Sequence, residues 1–157
     1  MATEEFLSYK RCRFRSKLPY NRSYLKSHYW LLEEESGVYR IGLSKFSTRM
    51  VGELVEFSFD CESQVQVEQG EVIGFLEGFK ATADIYVPLS GTFLGANADL
   101  DINPEAFSKD PYESGWLYRM QGQLEGEVLD VHGYAAYLDA TIDRIQEEKK
   151  AHEEGAN

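Results

Sequence analysis

The sequence predicts an all-β domain of the sandwich or barrel kind. Three observations carry this reading. Short apolar runs alternate along most of the chain, and Gly, Ser, Asn or Asp punctuates them at short intervals. Helix signals are few, and the clearest lies at the C-terminus. The 157 residues suit one domain with a real core, with no linker-like composition and no long repeat inside it.

Taken in order, the first pattern is basic. Arg11, Arg13, Arg15 and Lys17 alternate with Cys12, Phe14 and Ser16. This reads as an edge strand whose charge protects it, or as a strip for docking a partner. We expect residues 1–18 as a basic N-terminal arm, 19–142 as the body and 143–157 as a helical, frayed tail. Strands are expected at Tyr29–Leu32, Val38–Leu43, Gln64–Val67, Val72–Leu76, Ala83–Val87 and Thr92–Leu94. Two more follow from the alternation of Val55, Phe57 and Phe59 and of Trp116, Tyr118 and Met120.

Ser44 as N-cap, the apolar pair Phe46/Met50 and the terminator Gly52 predict a short helix. Asn103 as N-cap and Pro104 at the first position predict another, stopping before Pro111. At the C-terminus Tyr134, Leu138, Thr141 or Ile142, and Ile145 form one stripe. Beyond Ile145 the stripe ends, and fraying is expected.

Charge is uneven. Residues 1–30 hold seven Lys/Arg against two Glu, and the rest holds nine against twenty-five Asp/Glu. So acidic a body repels nucleic-acid phosphates, which argues against a nucleic-acid partner. It also steers toward basic surfaces. No apolar run is long enough to span a bilayer, and the N-terminus lacks a secretory apolar region, so a cytoplasmic protein without a membrane partner is expected. Cys12 and Cys61 form no metal or redox spacing and read as reduced thiols, with a disulfide unsupported. No nucleophile–base pair, metal cluster or phosphate loop is visible, so an enzyme is not expected.

One lysine stands apart. Between Arg49 and Lys109 the only cationic side chain is Lys80, in GFLEGFKATADIYVPLSG. Strand candidates flank Glu77–Thr82, so the connection is a hairpin with an exposed tip. Gly78 eases a tight turn and Pro88 ends the second strand.

The segment resembles the attachment hairpin of lipoyl carriers, and most closely that of the glycine cleavage H-protein family. Glu77, Lys80, Ala81 and Asp84 fit the family's hairpin pattern, and Tyr86, Pro88, Ser90 and Gly91 continue it. Asn97, Leu100, Pro104, the block Asp110-Pro111-Tyr112 and Gly115-Trp116-Leu117 follow in the family's order. Upstream, SHYWL and IGLSKFSTRMVGELVEF resemble its entry strands and helix, with Gly42, Phe46, Gly52 and Val55 in place. The resemblance covers roughly residues 24–140 and rests on several separate motifs. It departs at Tyr29, where the family usually has glutamate, at FDCESQ, which replaces a Pro/Gly turn, and at Phe79, which replaces a smaller aliphatic. The basic arm and the long tail are extra.

The resemblance implies a barrel-sandwich hybrid with short helices and a C-terminal helix. It implies lipoate joined to Lys80 as an amide, which removes the lysine's charge. The arm ends in a five-membered cyclic disulfide whose torsion is forced away from the preferred ~90°, so it opens easily. It further implies a carrier shared by three enzymes. Glycine decarboxylase, a pyridoxal phosphate enzyme, loads an aminomethyl group; an aminomethyltransferase removes it; dihydrolipoamide dehydrogenase reoxidises the dithiol. Glu77 would serve recognition by the lipoyl-attaching enzyme.

Ser27, Tyr29 and Asp84 match the cleft in which the family shelters the loaded arm from water. A buried ammonium needs acceptors. Ser27 and Asp84 supply them, whereas Tyr29 brings one phenolic oxygen and no charge, so a looser hold is expected. His28 is expected as a packed or hydrogen-bonded histidine beside Trp30. The alternatives are a related lipoyl carrier for lipoate relay or another redox pathway, a biotinyl carrier, which would place methionines where Phe79 and Ala81 stand, and an unmodified binding domain.

Overall fold

The computed structural model describes residues 5–155. The chain opens on a hairpin, β1 (Phe6–Arg11) and β2 (Phe14–Pro19). It then runs through β3 (Ser23–Tyr24), β4 (Tyr29–Glu35), β5 (Val38–Leu43) and helix α1 (Lys45–Val51). Strands β6 (Leu54–Phe59), β7 (Val65–Val67), β8 (Val72–Gly78), β9 (Thr82–Tyr86) and β10 (Gly91–Ala96) follow. Two four-residue helices, α2 (Asp99–Ile102) and α3 (Ala106–Lys109), precede β11 (Tyr118–Gly122) and the long helix α4 (Val131–Gly155).

A six-stranded sheet of order β3-β4-β5-β11-β10-β7 faces a three-stranded sheet of order β6-β8-β9, and the opening hairpin is a third, separate sheet. Every named strand pair is antiparallel. The expected all-β class is what the structure shows.

Two cores explain the arrangement. Between the main sheets, Leu31, Ile41, Leu76, Ile85, Phe93 and Met120 are among the side chains packed out of water. Outside the six-stranded sheet, Trp30, Tyr24, Phe46, Tyr134, Leu138 and Leu18 form a second core under α4 and the hairpin. Strand β4 serves both. Successive side chains point to opposite faces of a strand, so Tyr29 and Leu31 enter the first core while Trp30 enters the second. Trp30 is fully buried, donates from Nε1 to the Pro111 carbonyl at 3.0 Å, and carries the Arg22 guanidinium 4.9 Å above its ring.

Several local expectations shift. The basic segment is a hairpin, not one edge strand: Arg11 pairs with Phe14, and Cys12, at φ 54, turns the chain. It is fastened to α4, with Tyr9 Oη donating to Asp139 at 2.9 Å and Arg11 forking onto Asp143 at 3.0 and 2.6 Å. In β6 a bulge between Leu54 and Glu56 breaks the expected alternation, leaving Val55 exposed while Leu54, Phe57 and Phe59 pack inward. Helix α3 begins at Ala106, two residues after Pro104, because Asn103 to Glu105 make a turn instead. Beyond Ile145, where fraying is expected, helix α4 continues to Gly155, through Gln, Glu, Lys and Ala residues of high helix propensity. Cys12 and Cys61 are both free thiols.

His28, at φ 72, packs its ring against Phe46, Tyr134 and Tyr137 of the second core rather than against Trp30. Its Nδ1 lies 2.8 Å from Tyr134 Oη, which also meets Ser44 Oγ at 2.6 Å. Burial disfavours the imidazolium and pushes the pKa down to about 4. The unfolded chain takes this proton near pH 6.5, so the neutral ring's contribution is complete above that pH and is lost as the pH falls toward 4. We expect roughly 3 kcal/mol of stability to disappear over that window. Chemical denaturation between pH 7 and 4 measures it, and His28→Asn, which tolerates the positive φ, is expected to flatten that part of the profile.

Candidate functional site

The hairpin that carries Lys80 is tighter than its sequence implies. Ladder pairing runs to Glu77–Thr82, and only Phe79, Lys80 and Ala81 connect Gly78 to Thr82. The Gly78 N–H donates to the Ala81 carbonyl at 2.9 Å and closes the turn. Lys80 and Phe79 both project into solvent, Phe79 at 76% exposure.

Helix α1 holds this turn from behind. The Val51 carbonyl, at the helix's last residue, accepts the N–H groups of Lys80 at 3.0 Å and Ala81 at 3.3 Å. The Glu53 carbonyl accepts that of Phe79 at 3.1 Å. Two glycines permit the contact. Gly52 turns the chain out of the helix at φ 84, and Gly78 lies where a Cβ would stand 2.2 Å from the Val51 oxygen. The tip backbone is therefore fixed, and mobility starts at the lysine side chain. Its ammonium donates one long bond, 3.4 Å, to the Arg49 carbonyl. A cavity of about 580 Å³, bordered by Lys45, Arg49, Glu53 and Ser108, opens beside it.

This clamp escaped the sequence reading. Gly52 and Gly78 were legible as a helix stop and a turn, but not as two sides of one close approach.

The other expected site residues divide. Glu77 is the next-to-last residue of β8, exposed and one residue before Gly78, where the turn closes. Asp84 projects outward from β9 on the same face as Tyr86. Ser27 and Tyr29 line a cleft of about 350 Å³ with Tyr86, Pro88 and two acids from the loop before α4, Glu125 and Glu127. Asp84 is not among the lining residues but lies close enough to Tyr29 to act on it electrostatically.

Tyr29 itself is nearly buried, at 4% exposure. Its phenolic oxygen accepts the Tyr86 N–H at 2.9 Å, so the side chain ties β4 to β9. Burial pushes its pKa up to about 12, against the lowering effect of that hydrogen bond, and Asp84 adds a smaller upward push. Glu125 and Glu127 were not foreseen; no periodicity ties that loop to position 29. Lys26 pairs with Glu127 at 3.2 Å across the rim.

No group of three or more His, Cys, Asp or Glu side chains suited to a metal ion occurs among the described residues. No helix there is long and apolar enough to cross a membrane.

A lysine therefore stands exposed at the tip of a braced hairpin, beside an open cavity. The family model for the glycine cleavage H-protein matches residues 22–141. The chain belongs to the glycine cleavage H-protein family. A glycine cleavage system H protein of Pectobacterium carotovorum is 35% identical over 127 residues, spanning 79% of this chain and 97% of that one. One from Sodalis glossinidius is 34% identical over 132 residues, spanning 84% and 99%. The crystal structure of a glycine cleavage system H protein from Mycobacterium marinum superposes with a TM-score of 0.68 at 31% identity, covering 76% of this chain and 97% of that one. The H-protein family is one of lipoyl carriers, not catalysts, and its barrel-sandwich architecture is the one seen here. The match begins after the β1–β2 hairpin and ends inside α4, so both ends of the chain extend beyond it.

Proposed function

We propose that this protein carries lipoate as an amide on Lys80 and shuttles the aminomethyl group of glycine. Glycine decarboxylase loads the arm, the aminomethyltransferase unloads it, and dihydrolipoamide dehydrogenase reoxidises the dithiol. The observation that carries this reading is the braced tip. Lys80 is exposed on a three-residue turn whose backbone is bonded to Val51 and Glu53, in a chain of the H-protein family. A fixed tip presents one amine in one place, which suits an attaching enzyme that must recognise a folded hairpin, with Glu77 as part of its signal. We place the protein in the cytoplasm, with neither a nucleic acid nor a membrane as partner.

Lipoate supplies the thiol–disulfide chemistry. The chain supplies the mooring, the cleft and its polar lining. Ser27 and Asp84 are the proposed acceptors for the loaded arm's ammonium. At position 29 the phenolic oxygen already accepts a backbone N–H, and nothing at that position carries charge. We therefore expect Tyr29→Glu to slow the spontaneous loss of the aminomethyl group from the loaded carrier. Following release of that group from both proteins after removal of glycine decarboxylase tests this, and equal rates would refute it. Tyr29 also gives the second reading its best support, a related lipoyl carrier serving another pathway. Failure of the lipoylated protein to accept the aminomethyl group from glycine decarboxylase would favour it.

Attachment is tested by intact mass with peptide mapping across Lys80 on protein from its native host. One lipoyl increment at Lys80 is the expected result. An unmodified chain, in a host whose other carriers are lipoylated, would leave a binding domain with a vestigial lysine.

A further inference from the structure

The opening hairpin lies outside the family match, yet it is built into the fold beside the attachment turn. Its turn leans over α1 and α4, with the Phe14 ring meeting Phe46 edge-on at 5.6 Å and the Arg49 guanidinium 5.9 Å from the Phe14 centroid. Between hairpin, α1 and α4 runs an open groove of about 290 Å³. Phe14 and Ile142 contribute to its apolar lining; Met50, at 56% exposure, and Ile145, at 36%, stand beside them. Arg11, Arg13 and Arg49 rim it.

Met50 was expected to pair inward with Phe46, but only Phe46 is buried. The exposed thioether therefore faces a groove rather than the core. Arg49 belongs to two features at once: its guanidinium rims this groove, and its carbonyl receives the Lys80 ammonium.

We infer that this groove docks an acidic surface bearing an apolar anchor, on an enzyme that acts on the Lys80 arm. Charge complementarity identifies the occupant. Arg13 and Arg49 gather here beside Arg11, whose own charge is engaged by Asp143, on a chain of net charge −11, so an approaching acidic surface is repelled by most of the body and accepted at this rim. The apolar lining gives such a surface something to bury, and Arg is a favoured residue at interface anchors. Docking here sets a partner directly beside the arm's root. The inference rests on the carrier reading above.

The test compares wild type with Arg13→Glu/Met50→Glu, both lipoylated and matched by thermal melting. A charge-reversal control, Lys10→Glu/Lys17→Glu, alters the hairpin away from the groove. Carrier KM and kcat are measured with purified glycine decarboxylase and aminomethyltransferase, and with the lipoyl-attaching enzyme on unmodified protein. We expect KM to rise about tenfold with at least one enzyme at unchanged kcat, the scale of a lost interface anchor, with the control unaffected. Salt should raise the wild-type KM with the same enzyme.

Unchanged KM with all three enzymes overturns the docking inference while leaving the carrier reading intact. A wild-type dimer that the groove variant dissolves, at unchanged KM, overturns it in favour of an interface between copies. Binding to anionic vesicles at unchanged KM overturns it in favour of a lipid surface. A wild type that none of the three enzymes accepts overturns the carrier reading and this inference together.

Discussion

Lys80→Arg is expected to abolish lipoylation and to reduce carrier-dependent glycine cleavage to the level seen without carrier. Arginine keeps the charge and most of the length, but its guanidinium stays protonated and offers no amine for an amide bond. The fold should not notice. The lysine side chain is exposed and makes one 3.4 Å hydrogen bond to a backbone carbonyl, and surface changes of this kind usually move stability by less than ~0.5 kcal/mol. Intact mass and thermal melting together check both halves. A variant that still gains a lipoyl group would show that attachment lies elsewhere. A variant that melts much earlier would show that the lysine has a structural role the hydrogen bonding does not reveal.

The second large effect should come from a residue that never meets the cargo. In Gly78→Ala the new methyl would sit 2.2 Å from the Val51 carbonyl oxygen and 2.6 Å from its Cγ1. Carbonyl and turn must part, which weakens the two N–H bonds that seat Lys80 and Ala81. Crowding of this kind costs about 1–3 kcal/mol. The attaching enzyme would then meet a hairpin whose lysine no longer stands in one place, and we expect its rate to fall together with the melting temperature. Loss of stability without loss of lipoylation would mean that the enzyme reads the local sequence and not the braced turn. No change in either would mean that the contact relaxes freely.

Much of the fold and the core of the candidate site were legible in the residues. The hairpin that carries Lys80 was legible from a glycine two residues before the lysine and strand-like runs on both sides, and the resemblance of its sequence to the H-protein family singled the lysine out. Most β-strands followed from alternation, because a strand with one dry face must repeat every second residue. What stayed hidden had one cause: a contact distant in sequence decided the outcome. Cys12 turns the chain at positive φ with no Gly, Asn or Pro to mark the place. Val55 looked inward until a bulge shifted the register after Leu54. Tyr29 looked like an open phenol, and its partner is a backbone N–H 57 residues away. Glu125 and Glu127 reach the cleft through a loop whose path no periodicity describes.

Strand β4 has no solvent side along Tyr29, Trp30 and Leu31, since each face of the sheet there is the wall of a different core. The two cores therefore cannot melt independently. Losing either strips one face of the same three residues and raises the cost of keeping the other. The chain should behave as a single cooperative unit, with the slowest-exchanging amides of β4 opening only when the whole molecule unfolds. The β1–β2 hairpin and the first half of α4, as far as Ile142, close the second of these cores, so the hairpin, which lies outside the family match, belongs to that same unit and is not a loose attachment to it.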